Sequence, residues 1–400
     1  MVTERVLSGM RPTGAMHIGH WHGALKNWVR LQSEHECFFF VADWHALTTH
    51  YESPEVIEQA TWDMLVDWLA AGVDPNKATL FIQSRVPEHA ELFLLLAMGT
   101  PLGWLERVPT YKDQQEKLAD RDLSTYGFLG YPLMQAADIL IYRAQHVPVG
   151  EDQVPHIELT REVARRFNHL YGREPGFEDK ALAAVKKLGG KASKTYLDAR
   201  QRFQEQGDAP ALAAAKTLVD AAQSLSAVDR ERLYGYLEGT CKRILVEPRA
   251  LLTESPRLPG LDGQKMSKSY GNTIALREDP ESIRKRVRTM PTDPARVRRT
   301  DPGEPERCPV WQLHKVYSDA PTRDWVQQGC RSAGIGCLEC KAPVAEAIVT
   351  ELAPMRERAQ MYLDQPKLVR EVIAHGCDRA RQAAQETMRD VRASMGLAQG

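Results

Sequence analysis

The first 171 residues alternate short apolar runs with longer stretches of helical periodicity. The apolar runs cover 6–8, 37–42 (CFFFVA) and 78–83 (ATLFIQ), and the helical stretches cover 21–34, 53–71, 88–98 and 155–167. Strands covered on both faces read as continuous apolar runs, and parallel strands need a long crossover between them. The alternation therefore predicts an α/β domain with a parallel sheet of the doubly wound type.

The remainder of the chain has a helical character. Residues 172–247 are rich in Ala, Lys, Gln and Leu, and Asp208 and Ser226 stand where helix N-caps are expected. We expect two to four helices there, inserted into the α/β domain, which 248–275 would complete. Residues 276–400 predict an all-helical C-terminal domain that ends in a long amphipathic helix over 367–395.

The composition is that of an ordinary folded protein, with 43% hydrophobic residues and a net charge of −1. The sequence has neither an apolar run of about 18 residues nor a secretory signal at its start, so we expect a cytoplasmic protein without a membrane span. Residues 284–299 carry seven Lys and Arg side chains against one Asp. Such a segment is either a solvated helix face or a contact for nucleic acid.

The segment GMRPTGAMHIGH, residues 9–20, follows a predicted strand and opens a predicted helix. Backbone N–H groups at a helix start are free to bind an anion, and Gly14 and Gly19 let the backbone approach a ligand closely. His17 and His20 are three residues apart, so they project from one side of the helix and can donate to a phosphoryl group. Two surface histidines or a metal site are the alternative interpretations.

A second peptide, QKMSKSYG at 264–271, lies in a predicted Gly- and Asp-rich loop. Lys265 and Lys268 are compact, movable cations of the kind that neutralises phosphate charge. In this order along one chain, the two peptides resemble the HIGH and KMSKS motifs of the class I aminoacyl-tRNA synthetases. The resemblance implies a Rossmann-like catalytic domain that uses ATP with Mg²⁺ and charges a tRNA.

The helix segment YPLMQAAD, 131–138, places Tyr131, Gln135 and Asp138 on one face. A buried Asp needs a partner, which a ligand N–H or O–H or the neighbouring backbone could supply. This pattern resembles both tryptophanyl- and tyrosyl-tRNA synthetases, and Gln135 is the tyrosyl-like residue. The segments VPVGEDQVPHIELTR at 147–161 and GMRPTGAMHIGHWHGAL at 9–25 resemble the tryptophanyl family.

The resemblance to the tryptophanyl family implies residue roles. The catalytic residues would be His17, His20, Lys265 and Lys268. The ATP site would comprise Arg11, Pro12, Thr13, Gly19, His20, Gly150, Glu151, Asp152, Leu258, Lys265, Met266, Ser267, Lys268 and Ser269. The tryptophan site would comprise Leu7, His45, Tyr131, Gln135, Asp138 and Gln153, with Asp138 accepting the indole N–H.

Four of the seven cysteines, Cys308, Cys330, Cys337 and Cys340, lie within 33 positions near the C-terminus. The closing C-x-x-C suits a tetrahedral metal, and the spacing leaves open an iron–sulfur cluster, zinc or unligated thiols. The segments CPVW and GC…IGC..C resemble the subset of tryptophanyl-tRNA synthetases with a [4Fe–4S] cluster. The resemblance implies that these four thiols hold such a cluster, with Zn²⁺ as the alternative.

The sequence thus predicts a ligase that activates L-tryptophan with ATP and transfers it to the terminal adenosine of tRNA(Trp). The family resembled works as homodimers, which implies the same assembly here, and it implies that 276–400 read the anticodon. A tyrosine–tRNA ligase and a synthetase-like binding module that no longer charges tRNA are the two alternatives.

Overall fold

The structure, a computed structural model, describes residues 4–108, 125–172, 174–239, 242–252 and 258–397. Within these ranges five parallel strands form one sheet in the order β3-β2-β1-β4-β5. They are β1 (Arg5–Met10), β2 (Glu36–Val41), β3 (Ala78–Ile82), β4 (His146–Val149) and β5 (Arg249–Leu252). The chain proceeds outwards from β1 in both directions, so the carboxyl ends of β1 and β4 border the crevice where doubly wound sheets bind ligands. The predicted fold class is confirmed.

The helices of the first part surround this sheet. The first, α1, joins Ile18–His20, a π-helical turn at Trp21–Leu25 and Lys26–Leu31. The others are α2 (Asp43–His50), α3 (Glu55–Ala71), α4 (Glu88–Ala97), α5 (Leu102–Glu106), α6 (Tyr126–Ile141) and α7 (Val154–Tyr171). The helical stretch predicted over 53–71 begins at Glu55, with Pro54 as its N-cap.

The insertion contains four helices in its described part and has a core of its own. They are α8 (Phe177–Lys187), α9 (Gly190–Gln206), α10 (Ala209–Ala221) and α11 (Ala227–Leu237). The side chain of Asp208 accepts from the Ala211 N–H and that of Ser226 from the Asp229 N–H, as the capping patterns predict. Tyr196, Leu233 and Leu237 are fully buried among these helices, separately from the sheet.

The C-terminal helices are α12 (Pro280–Thr289), α13 (Pro309–Tyr317), α14 (Ala320–Arg331), α15 (Cys337–Asp364) and α16 (Pro366–Ser394). The apolar residues of α12, α13, α15 and α16 share one core with the sheet, whereas Val326 on α14 packs in a separate cluster with Trp311 and Ile335. Helix α16 crosses β3 so closely that a Cβ on Gly376 would lie 1.8 Å from the Leu80 carbonyl oxygen, so only glycine fits there. No helix in the described ranges is long and apolar enough to span a membrane.

Candidate active site

A cavity of about 410 Å³ opens at the carboxyl ends of β1 and β4, the position that the strand order predicts. Its walls come from β1, α1, α2, α6 and the turn after β4. All six residues predicted for the tryptophan site line it: Leu7, His45, Tyr131, Gln135, Asp138 and Gln153. The structure therefore brings together side chains from four separate segments of the sequence: β1, α2, α6 and the turn after β4. Their roles stay predictions.

Asp138 lies at the inner wall of the cavity and is 1% exposed. His45 Nε2 is 2.8 Å from its Oδ2, His89 Nδ1 is 2.6 Å from its Oδ1, and Gln83 Nε2 donates to both oxygens at 2.8 and 3.0 Å. Burial alone would raise the pKa of Asp138, but the hydrogen bonds from His45 and His89 outweigh burial and hold that pKa below its usual value. The carboxylate is therefore an anion that only accepts hydrogen bonds.

His89 connects this carboxylate to a second buried group. Its Nδ1–H donates to the anionic Asp138, and its Nε2 lies 2.7 Å from the Tyr142 hydroxyl. Gln83, His89 and Tyr142 were not among the predicted site residues. Gln83 directly follows the last residue of β3, and a polar residue at the carboxyl end of a buried parallel strand is the signal that could have found it.

The HIGH peptide forms the turn from β1 into α1, with His17 as the N-cap. The His17 and His20 ring centroids are 3.7 Å apart, and a Cβ on Gly19 would come within 2.9 Å of the His17 ring. Burial, and then the neighbouring Lys268, lower the pKa of His17 to about 4. Burial, His17 and Lys268 lower the pKa of His20 to about 2. Both imidazoles are neutral at pH 7, and a neutral imidazole carries one N–H donor.

The KMSKS loop packs directly on this turn. Lys268 Nζ donates to the Gly14 carbonyl at 2.7 Å. Burial lowers the pKa of Lys268 to about 8. Just beyond the loop, Ile18 N–H donates to Ile274 O and Leu276 N–H to Met16 O, each at 3.0 Å. Two peptides some 250 residues apart in the sequence therefore form one surface.

A buried side chain organises the loop itself. Asn272, 3% exposed, donates to Asp262 Oδ1 at 2.8 Å and to the Lys265 carbonyl at 3.1 Å, and it accepts from the Ser267 N–H at 2.8 Å. A Cβ on Gly260 would lie 2.2 Å from this amide, which explains the glycine. Sequence analysis missed Asn272.

Asp67 on α3 is another buried carboxylate that the sequence did not reveal. Its Oδ2 accepts from the Met16 N–H at 3.1 Å, and Arg277 Nε lies 2.7 Å from its Oδ1. Burial raises the pKa of Asp67 to about 6, against the lowering effect of Arg277. Asp67 thus joins the backbone before HIGH to the segment after KMSKS.

The residues predicted for ATP fall on both sides of the crevice. Arg11 and Gly150 line the cavity. Pro12, Leu258 and Met266 are buried, Gly19, His20, Ser267 and Lys268 are half-buried, and Thr13, Glu151, Asp152 and Lys265 are exposed. The side chain of Ser269 lies outside the described part of the structure. Lys268 meets the two histidines, whereas Lys265 lies on the exposed side of the loop.

Cys308, Cys330, Cys337 and Cys340 line one small cavity, together with Arg296 and Lys341. Arg296 Nη1 lies 3.9 Å from Cys330 Sγ, and Cys340 Sγ lies 3.4 Å from His314 Nε2. In the described ranges, no group of three or more His, Cys, Asp or Glu side chains is arranged to hold a metal ion. The structure gathers the four predicted thiols without forming a complete coordination sphere.

The basic segment 284–299 is not a uniform surface. Arg284 pairs with Glu346 and Arg286 with Glu278. Arg296 is only 8% exposed and donates to the Ile335 carbonyl. Much of this charge is neutralised within the fold, whereas Lys285 and Arg288 are exposed.

The parallel sheet, the switch-point cavity and the two converging peptides define a class I aminoacyl-tRNA synthetase. The family model of tRNA synthetases class I (W and Y) matches residues 3–197 and 222–353, and the chain belongs to this family.

Individual relatives indicate which member of this class the chain is. The chain is 75% identical over 397 residues to the tryptophan–tRNA ligase of Ralstonia nicotianae, covering 99% of both proteins, and 44% identical to that of Thermotoga maritima, covering 98% of this chain and 99% of the relative. It resembles a crystal structure of tryptophanyl-tRNA synthetase from Campylobacter jejuni complexed with ADP and tryptophan, with a TM-score of 0.73, 27% identity and coverage of 98% and 100%. Within the class, this chain is therefore a member of the tryptophan–tRNA ligases, and it attaches tryptophan to tRNA with ATP.

Proposed function

We propose that the switch-point cavity holds tryptophan while the joined HIGH and KMSKS peptides hold the triphosphate of ATP. The observation that carries this assignment is the hydrogen bond from Lys268 Nζ to the Gly14 carbonyl beside His17 and His20. It sets a movable cation and two neutral N–H donors next to a cavity lined by the six predicted residues.

In the first step, a carboxylate oxygen of tryptophan attacks the α-phosphorus of ATP. The bond from that phosphorus to the bridging oxygen breaks, and pyrophosphate leaves with the bonding electron pair. The nucleophile is already an anion, so no protein base is required, and the protein must align two anions and stabilise charge. His17, His20 and Lys268 would supply that stabilisation, Lys265 would join them from the loop, and Mg²⁺ would neutralise phosphate charge when it binds with ATP.

In the second step, a ribose hydroxyl of the terminal adenosine of tRNA(Trp) attacks the carbonyl carbon of tryptophanyl-adenylate. The bond from the carbonyl carbon to the phosphate oxygen breaks, AMP leaves with its electron pair, the hydroxyl proton is released, and tryptophanyl-tRNA forms.

Asp138 would accept the indole N–H. A carboxylate offers about four acceptor sites, and His45, His89 and Gln83 make four contacts with it, two of them from Gln83. The indole N–H would therefore replace one of these contacts at the edge of the cavity that Asp138 lines. Tyr131, Gln135 and Gln153 would then place the ring and the amino group.

The test is ATP–pyrophosphate exchange with tryptophan and, separately, with tyrosine. We expect exchange with tryptophan and little with tyrosine, because the relatives at 75% and 44% identity are tryptophan–tRNA ligases. The Asp138 carboxylate alone does not discriminate, since an indole N–H and a phenol O–H can both donate to it. Exchange with tyrosine alone would contradict the proposed cavity.

We further propose that the four cysteines hold a [4Fe–4S] cluster with a structural role. The donor set fits, since four thiols face one cavity and Arg296 and Lys341 lie beside it to offset negative charge. Protein purified without oxygen should be brown and contain about four irons per chain. Colourless protein with one zinc per chain would favour the alternative metal.

The proposal also includes a homodimer and a C-terminal domain that binds the tRNA anticodon. Leu94, Met98 and Leu102 are more than half exposed on α4 and just beyond it, and an apolar surface of this kind suits a homodimer interface. Light scattering should give about twice 45.0 kDa. In the proposed division, 1–171 and 248–275 form the catalytic domain, 172–247 the insertion and 276–400 the anticodon-binding domain of a cytoplasmic enzyme.

A further inference from the structure

Two helices begin at the cysteines and reach the HIGH helix. Cys308 is the N-cap of α13, which ends at Tyr317. Cys337 is the first residue of α15, Cys340 lies in its first turn, and Glu351 lies four turns further along. The same two elements therefore carry thiols at one end and polar side chains at the other.

Those polar side chains meet at His22. His22 Nε2 lies 3.0 Å from the Tyr317 hydroxyl and 3.1 Å from Glu351 Oε2. The His22 and Tyr317 rings pack edge to face with centroids 5.3 Å apart. His22 is in the π-helical turn of α1, and the next residue, Gly23, lines the tryptophan cavity.

The contact is buried on the His22 side, where the side chain is 6% exposed against 24% for Glu351. Removing one partner from a buried polar contact leaves the other unsatisfied, which costs more than the contact itself contributes. This contact therefore has the strength to fix the position of α1 relative to α13 and α15.

The KMSKS loop rests on the same region. A Cβ on Gly263 would lie 3.1 Å from Pro309, the residue after Cys308. Lys341, the residue after Cys340, donates to the Arg288 and Met290 carbonyls at the end of α12.

Helix α12 in turn contacts the KMSKS loop, because Arg286 Nη2 donates to the carbonyl of Gly271 at 3.2 Å. The HIGH helix is thus contacted by α13 and α15, which start at Cys308 and Cys337. The KMSKS loop is contacted by the start of α13 and by α12, whose end Lys341 of α15 binds.

We propose that His22, Tyr317 and Glu351 are positioning residues that couple the four-cysteine region to the HIGH helix. Through them, a loaded thiol site holds that helix in register with the KMSKS loop and speeds adenylate formation. The effect of metal loading on the HIGH helix depends on the proposed cluster. The contact of His22 with Tyr317 and Glu351 does not depend on it.

The positioning contact is tested with Glu351→Ala, Glu351→Gln and Tyr317→Phe. Glu351→Ala should lower kcat for tryptophan-dependent exchange about tenfold, and Tyr317→Phe about threefold, because buried partners lose a hydrogen bond. The KM for tryptophan and the metal content should stay at their wild-type values. Glu351→Gln keeps an acceptor and should recover most of the rate.

Tyr362→Phe on the same helix α15 serves as the matched control and should behave as wild type. Equal kcat values for Glu351→Ala and wild type would overturn the proposal. Equal losses in Glu351→Ala and Glu351→Gln would also overturn the hydrogen-bonded contact.

The coupling is tested by combining Glu351→Ala with Cys340→Ser, which removes one proposed metal ligand. If His22 and its partners transmit the effect of metal loading, the double variant should be about as slow as the slower single variant. Losses that multiply would show two independent effects and overturn the coupling. A wild-type protein without iron or zinc would contradict the metal proposal only. The Glu351→Ala and Glu351→Gln variants would still test the contact of Glu351 with His22.

Discussion

The tryptophan cavity and the KMSKS loop lie side by side but are held in different ways. Asp138 in the cavity is fixed by three donors from α2, α4 and the turn after β3. Lys268 in the loop is held by one hydrogen bond to a carbonyl, which a phosphate oxygen can replace. In the proposed site, recognition of the amino acid would therefore be built into the core, whereas phosphate binding would depend on a cation that can move.

The contacts that hold Asp138 also contribute more free energy than the single hydrogen bond that holds Lys268. Breaking a buried ionic contact by removing one partner costs about 3–5 kcal/mol, because the other partner is left buried and unpaired. A single hydrogen bond from a charged donor contributes about 1.5–3 kcal/mol, and in the proposed site Lys268 would exchange it for a bond to phosphate instead of losing it. Substitutions at Asp138 should thus destabilise the fold, whereas substitutions at Lys268 should leave its stability nearly unchanged.

The substitution Asp138→Asn should have the largest effect, because it changes the buried carboxylate at the wall of the cavity. The new amide NH₂ would face three donors, so the free energy of unfolding should fall by about 3–5 kcal/mol in urea titrations. Asp378→Asn, an exposed carboxylate on α16, is the control and should stay within about 0.5 kcal/mol of wild type. A stable Asp138→Asn would show that the cavity is not held as described.

Lys268→Ala should act on rate and not on stability. Removing one preorganised charge-stabilising group costs about 100- to 1000-fold in kcat, measured here by tryptophan-dependent exchange. Thermal unfolding should be unchanged, and Lys367→Ala, an exposed lysine, is the matched control. An unaffected rate would favour a protein that no longer charges tRNA.

Asn272→Ala should loosen the loop without touching a ligand. The Ser267 N–H and the Lys265 carbonyl would lose their partner, so we expect the KM for ATP to rise about tenfold. Tryptophan affinity should not change, because Asn272 lies outside the cavity lining. A parallel loss of tryptophan affinity would mean that the loop and the cavity are one unit.

The pH profile gives the smallest but most specific effect. Lys268 has a pKa of about 8 because it is buried, so it loses its charge as pH rises through 8. The value of kcat/KM for ATP should therefore fall above pH 8, about fourfold half a unit beyond the pKa and about elevenfold one unit beyond. Lys268→Arg stays charged and should flatten this fall. His17 and His20, with pKa values of about 4 and 2, should cause no loss near pH 6.

The sequence predicted the sheet and most of the cavity because both follow local patterns. The apolar runs at 37–42 and 78–83 became β2 and β3, and the spacing of Tyr131, Gln135 and Asp138 on one helix face placed all three in the cavity. The donors to Asp138 were missed except for His45, because Gln83 and His89 come from distant segments that only the folded sheet brings together.

The sequence left the role of the basic segment 284–299 open. A run of like charges says nothing about distant acidic partners, and Glu346 and Glu278 neutralise Arg284 and Arg286 in the fold. Asp67 and Asn272 were likewise invisible, because their partners, Met16 and Ser267 among them, are backbone groups or distant in sequence.

Calorimetric titration of tryptophan into the Lys268→Ala variant, without ATP, tests most directly whether the cavity is prebuilt. If the amino-acid site needs only the core, the Kd for tryptophan should match wild type within about twofold, less than about 0.5 kcal/mol. A Kd weakened tenfold or more would show that the KMSKS loop helps to form the tryptophan site and would contradict the division between a fixed cavity and a movable cation.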